Sequence, residues 1–382
     1  MAPSTTPDQP PPFYWNENGQ ESGARWRSEA GLPPPKLVVV ADDTLSADAA
    51  YRLACEGTAL LWRGDFQNGR QLLNALARRT DNRKKRKEAA SPAEAFHLHR
   101  LAQSQRARTL AMVLVPLAGD YGIPLRRAPD WRQACSEAYG PADGIDTVVS
   151  LRELLGINGA HEWRKKGVEI AALAGERIHP WYGVFSPLRG EYLDLLAEAP
   201  LPAKTLAFDI GTGTGVIAAL LARRGIAHVV ATDMDPRALA CAQENLARLK
   251  LDKQVEVVKA NLFPPGKAPL IVCNPPWVPA RPSSPVEQAI YDPDCRMLKG
   301  FLSGLAAHLE SGGEGWLILS DIAEHLGLRS REDLLGWVSA AGLKVLEKRD
   351  IKPRHPKASD ENDPLYRARQ NEVTSLWRLA AA

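Results

Sequence analysis

Leu206-Ala-Phe-Asp-Ile-Gly-Thr-Gly-Thr-Gly215 runs without interruption into Val216-Ile-Ala-Ala-Leu-Leu-Ala-Arg-Arg224. An apolar five-residue run, a glycine turn and an apolar helical stretch spell strand, turn and helix, the opening of an α/β unit. Glycines at 211, 213 and 215 remove the side chains that would hold a ligand off the backbone at the carboxyl end of the first strand, where open α/β sheets bind ligands. A dinucleotide site asks for its third glycine at position 216, which is Val, and Asp209 is an unfavourable neighbour for a pyrophosphate. The spacing suits a cationic ligand without phosphates. The bland alternative is a plain strand-to-helix turn.

Outward from this stretch, short apolar segments alternate with helical ones. Strands are expected near 205–210, 228–232, 255–259, 269–273, 314–320, 343–350 and 372–379, with helices near 215–224, 236–249, 296–310 and 331–341. This is the pattern of a parallel sheet covered on both faces. The last two strands follow one another without a helix, so one antiparallel edge strand is expected. Upstream, 161–200 reads as a β-hairpin and linker covering the ligand site, with a turn at Ala174-Gly-Glu176. Residues 36–160 read as an α-rich domain, with Ala50, Leu53, Ala54, Leu60 and Leu61 at helical spacing and a helix from Ala93 to Val115 after the start signal at Ser91-Pro92. Residues 1–35, with eight prolines and few aliphatic side chains, read as a disordered tail.

Composition sets outer limits. The 382 residues, 45% hydrophobic and 24% charged, exclude a collagen-like, wholly disordered or membrane-embedded chain. Forty-eight Lys+Arg against 45 Asp+Glu gives a net charge of +3, which names no partner. Cys55, Cys135, Cys241, Cys273 and Cys295 are scattered, so neither a disulfide framework nor a metal knuckle is written, and a reduced, cytoplasmic setting is expected. The longest apolar run, Leu110–Ala118, is about half a membrane span.

Two further motifs carry chemistry. Ala231-Thr-Asp-Met-Asp-Pro236 ends the second strand with Asp233, whose carboxylate can accept both hydroxyls of a ribose. Asp235 before Pro236 reads equally as a helix cap. Leu270-Ile-Val-Cys-Asn-Pro-Pro-Trp277 ends the fourth strand. Its prolines leave rigid backbone carbonyls, beside them lie an amide oxygen and a flat ring, and together they can hold a planar NH2 while the ring stacks on the π-system bearing it. Alone, Asn-Pro-Pro is a turn signal.

With these motifs in order, the segment from about 180 to 379 resembles the class I S-adenosylmethionine-dependent methyltransferases, in the Asn-Pro-Pro-aromatic branch that methylates exocyclic amines of purines and the side-chain amide of glutamine. The resemblance implies a seven-stranded, doubly wound, Rossmann-like sheet over 201–382, S-adenosylmethionine as cofactor with S-adenosylhomocysteine as product, and no metal. It implies catalytic roles for Asn274, Pro275, Pro276 and Trp277. It places Asp209, Gly211, Thr212, Gly213 and Gly215 at the methionine end of the cofactor, Asp233 and Met234 at the ribose, and Asn261 and Leu262 at the adenine, with Asn261 standing where the family usually has Asp. Phe185-Ser-Pro-Leu-Arg-Gly-Glu191, with Phe185 and Pro187, is similar to the segment that covers the cofactor. It reads equally as a helix start with Glu191 in the first turn.

The remaining residues bear on the substrate. Residues 63–132 hold 15 Lys+Arg against 6 Asp+Glu, including Arg83, Lys84, Lys85, Arg86 and Lys87. Clustered cations beside a base-sized pocket suggest phosphate contacts; a solvated loop is the alternative. The leading expectation is transfer to a purine amine in ribosomal or transfer RNA. The other is a protein glutamine methyltransferase acting on a release factor or ribosomal protein, a group that carries Tyr where this chain has Trp277.

Overall fold

The computed structural model describes residues 11–81, 89–283, 285–354, 360–361 and 363–382. The chain divides into two units, Met1–Glu88 with Arg100–Glu162, and Ala89–His99 with Trp163–Ala382. The Arg83–Lys87 run lies outside the described residues.

The first unit is α/β, where an α-rich domain was expected. Its six strands are β1 (Pro12–Glu17), β2 (Gln20–Trp26), β3 (Leu37–Ala41), β4 (Thr58–Trp62), β5 (Val113–Leu117) and β6 (Thr147–Ser150), in the order β1-β2-β6-β5-β4-β3. Every residue of β4, β5 and β6 is buried. Leu60 and Leu61 therefore belong to a strand. Gly57, at φ +86°, ends the preceding helix Ala47–Cys55, and the unbroken apolar run after it is the mark of a strand buried on both faces.

The expected tail is also corrected, because β1 and β2 form a hairpin. Asn18 and Gly19 both have positive φ, as a tight hairpin turn requires. Phe13 and Trp26, 2% and 5% exposed, pack with Ala59, Leu61, Leu114 and Val148, and the Trp26 indole donates to the carbonyl of Leu32 at 2.7 Å. Two large aromatics supply the burial that the sparse aliphatics do not.

In the second unit β7 (Val168–Glu169) and β8 (Arg177–Ile178) form a short antiparallel ribbon. The main sheet has seven strands: β9 (Leu206–Ile210), β10 (His228–Asp233), β11 (Val255–Lys259), β12 (Ala268–Cys273), β13 (Leu309–Ser320), β14 (Leu343–Ile351) and β15 (Thr374–Ala381). Their order is β11-β10-β9-β12-β13-β15-β14. The antiparallel strand is not at the edge, as expected, but slots between β13 and β14. Arg378 on β15 explains its place, since it bonds Glu314 of β13 at 2.7 and 2.8 Å and Glu347 of β14 at 2.5 Å. The strand order reverses between β9 and β12, so the loops after these two strands open onto a single crevice.

Candidate active site

The glycine loop follows β9. The N–H groups of Gly211 and Thr212 both donate to the carbonyl of Thr232, at 2.9 and 2.8 Å, which ties the loop to the end of β10. Gly215 opens the helix Val216–Arg223 at φ +82°, and a Cβ there would lie 3.3 Å from Ala242. Gly213 has φ +55° and open space where a Cβ would stand.

Asp209 braces this loop from beneath. Its carboxylate accepts from Thr212 Oγ1 at 2.6 Å and from the N–H of Ala218 at 3.0 Å, while Oδ1 is buried with no partner among the described residues. Burial pushes the carboxyl up to about 7. The folded value lies above the ordinary 3.8, so the stability conferred by the neutral acid is fully present below pH 3.8 and is lost as pH rises through 7. Thermal melts across pH 4–8 should therefore show a decline that Asp209→Asn largely abolishes, and an unchanged decline would exclude Asp209 as its source.

Asp233, at the end of β10, accepts from Gly213 N at 3.1 Å and Asp235 N at 3.0 Å, and burial raises its carboxyl. Asp235 caps the helix Pro236–Arg248 through Arg237 N at 2.8 Å. After β12, Asn274 and Trp277 are half-buried and joined: the indole Nε1–H donates to Asn274 Oδ1 at 2.9 Å.

These loops line one cavity of about 590 Å³ within the second unit. Of the residues singled out in the sequence, Phe185, Gly211, Thr212, Gly213, Asp233, Met234, Asn274, Pro275, Pro276 and Trp277 line it. Asp209, Gly215, Pro187, Asn261 and Leu262 do not. Asp209 faces the helix behind the loop, Gly215 packs on Ala242, and Pro187 is buried. Asn261 is exposed, and Leu262, at φ +68°, accepts through its carbonyl from Thr232 Oγ1 at 2.6 Å.

Sequence reasoning missed three parts of the wall. Arg189 lies 5.4 Å from the Trp277 ring centroid and bonds the buried carboxylates of Glu191 and Glu372 at 3.1 Å each. The Arg189 and Glu191 pair was in view as a helix start, which Glu191 also is. Met297 sits so near the loop that a Cβ on Gly211 would meet its Cε at 2.5 Å. Phe96 and His99 come from the helix Pro92–Ala111, which the sequence assigns to the N-terminal domain; Phe96 packs with Val278, Ile322, Leu326 and Leu365.

Part of the cationic segment is paired with carboxylates. Among its ten described Lys and Arg, at least six hold ion pairs: Arg63 with Glu17, Arg79 with Asp48, Arg106 with Asp81, Arg126 and Arg127 with Asp65, and Arg132 with Asp120. Among the described residues no group of three or more His, Cys, Asp or Glu could hold a metal ion, and no helix is long and apolar enough to cross a membrane.

Residues 182–335 match the family model described as the methyltransferase small domain, a span that takes in the glycine loop, Asp233 and the Asn-Pro-Pro-Trp turn. This part of the chain is a methyltransferase small domain. A release factor glutamine methyltransferase from Cereibacter sphaeroides is 36% identical over 164 residues, covering 39% of this chain and 56% of that protein. A tRNA1(Val) (adenine(37)-N6)-methyltransferase from Bacteroides thetaiotaomicron is 33% identical over 132 residues, 32% of this chain and 56% of that one. A ribosomal protein L11 methyltransferase from Clostridium perfringens is 42% identical over 74 residues, 19% and 23% of the two chains. The matched part thus spans little more than half the length of the first two relatives. The methyltransferase small domain leaves Pro12–Trp62 and the rest of the first unit outside its match.

Proposed function

We propose that the chain is an S-adenosylmethionine-dependent N-methyltransferase acting on a planar NH2 group. The observation that carries this reading is that the glycine loop and the Asn-Pro-Pro-Trp turn, 59 positions apart, line one cavity at the sheet's reversal point. The donor set fits the cofactor. Gly211 and Gly213 give bare backbone, and the carboxylates of Asp233 and Asp235 beside them suit a cationic ligand and disfavour a pyrophosphate. Asp233 would hold the ribose hydroxyls and Phe185 would cover the ligand.

When bound, the cofactor supplies a methyl group on a sulfonium, already activated for transfer. The chain's own task is placement. Asn274 Oδ1 and the backbone carbonyls of the rigid proline pair accept the hydrogens of the NH2, directing its lone pair and dispersing the positive charge that grows on nitrogen. In-line placement of this kind is worth about 7 to 11 kcal/mol. No general base is required, because the proton is lost to solvent once the nitrogen is alkylated.

Asp233→Ala should weaken cofactor binding by about tenfold to a hundredfold, the loss of one or two charge-assisted hydrogen bonds. Calorimetry with S-adenosylmethionine measures this, and unchanged affinity would remove Asp233 from the site.

The acceptor we propose is an exocyclic amine of a purine in ribosomal or transfer RNA, with Trp277 stacking on the base, a contact worth about 1 to 3 kcal/mol. Similarity to the tRNA adenine methyltransferase supports it. A second reading, a glutamine amide in a protein of translation, is favoured by one observation: the ion pairs of residues 63–132 leave fewer cations for phosphate than the charge count implies. Labelled methyl transfer from S-adenosylmethionine to total RNA and to total protein of a deletion strain separates the two. Label in protein alone would overturn the RNA reading.

A further inference from the structure

The flat ring of Trp277 would serve stacking whether it were Trp, Tyr or Phe, but the structure gives the indole a second use. Its Nε1–H donates to Asn274 Oδ1 at 2.9 Å. An indole nitrogen donates and never accepts, so it decides which end of the carboxamide faces it. Were the amide flipped, Nδ2 and Nε1 would oppose donor to donor. The oxygen is thus fixed toward the indole and keeps a second lone pair for another donor.

The ring is itself held. It packs between the apolar groups on both sides of the sheet and the Phe96 cluster. Arg189 stands 5.4 Å from its centroid, pinned by Glu191 and Glu372, and Glu372 also accepts from Ser320 Oγ at 2.7 Å. Two buried carboxylates, a guanidinium, an indole and a carboxamide form one chain of contacts ending at the candidate catalytic oxygen.

We propose that Trp277 is a positioning residue, whose N–H locks Asn274 with its oxygen presented and so selects an N–H donor as the acceptor group for methylation. This rests on the N-methyltransferase reading. Phenylalanine has no donor, and tyrosine carries its hydroxyl at the far end of the ring, so neither supplies this contact.

The test replaces Trp277 in the full chain by benzothienylalanine, which keeps the bicyclic shape and puts sulfur in place of N–H. With tritiated S-adenosylmethionine and total RNA and total protein of a deletion strain as acceptors, kcat should fall about tenfold, the loss of one hydrogen bond. KM and the affinity for S-adenosylhomocysteine should stay within twofold. In an Asn274→Ala background the same replacement should have no further effect. A second readout needs no turnover: in isotope-labelled protein, the indole N–H resonance absent from the Trp277→Phe variant should exchange with solvent at least tenfold faster in Asn274→Ala, with the other nine tryptophans unmoved. Wild-type turnover in the benzothienyl protein, or exchange indifferent to Asn274, overturns the proposal. Absence of transfer by the unmodified chain, with S-adenosylhomocysteine unbound, overturns the underlying reading and the proposal with it.

Discussion

A chain lacking residues 1–35 is expected to lose the fold of its first unit. The deletion removes β1 and β2, and with them Phe13 and Trp26, whose burial is worth about 1.5 to 3 kcal/mol each. It also uncovers Ala59, Leu61, Leu114 and Val148 on the strands left behind, and strips β6 of its pairing with Arg25 and Trp26. The Arg63–Glu17 ion pair, at 2.7 Å, goes too. Against a total stability of about 5 to 15 kcal/mol, losses of this size are not absorbed. Differential scanning calorimetry of the full and shortened chains should show a transition lowered by about 10 °C or more, or missing. Superimposable melting curves would show that the hairpin adds nothing.

The largest effect on turnover is expected for Asn274→Ala. In the function proposed, the carboxamide oxygen accepts from the substrate NH2 in both ground and transition states, but the bond strengthens as the nitrogen takes on positive charge, so its removal would fall on kcat. A loss of about a hundredfold is expected, equivalent to ~2.7 kcal/mol, with calorimetric affinity for S-adenosylmethionine within twofold of the unmodified chain. Full turnover in this variant would remove the Asn-Pro-Pro-Trp turn from the chemistry. Cofactor affinity falling in step with turnover would make Asn274 a binding residue.

The second unit was largely legible in the sequence because its central strands are short, mostly apolar runs bounded by turn signals. β9, β10, β11 and β12 fall within a residue of where those runs lie. The first unit was not, for two physical reasons. Leu60 and Leu61 continue the helical spacing of Ala50 and Leu53, and only Gly57 between them marks the break. The hairpin draws its stability from aromatics, which a count of aliphatic residues overlooks.

The loops that line the candidate cavity were visible in the sequence, and their supports were not. Asp209 stands beside the glycines in sequence, yet it faces the helix that follows. Arg189 and Glu372 meet across 183 positions, a distance that no local pattern spans. Charge pairing is equally invisible to a local count, since Arg63 finds Glu17 46 residues back and Arg127 finds Asp65 62 residues back.

Phe96 lends the cavity a history as well as a wall. It leaves the ribosome 182 residues before Val278 and 272 before Ala368, members of the same cluster, so the wall cannot close until Ala368 has been made. Joining such distant segments carries the entropic cost of a long loop, and the second unit, entered at 89, left at 99 and re-entered at 163, completes itself late. Nascent chains stalled short of residue 366 would carry the glycine loop and the Asn-Pro-Pro-Trp turn yet lack Arg369 and Glu372 of the pocket wall, so the cavity is finished only after those two residues have been made.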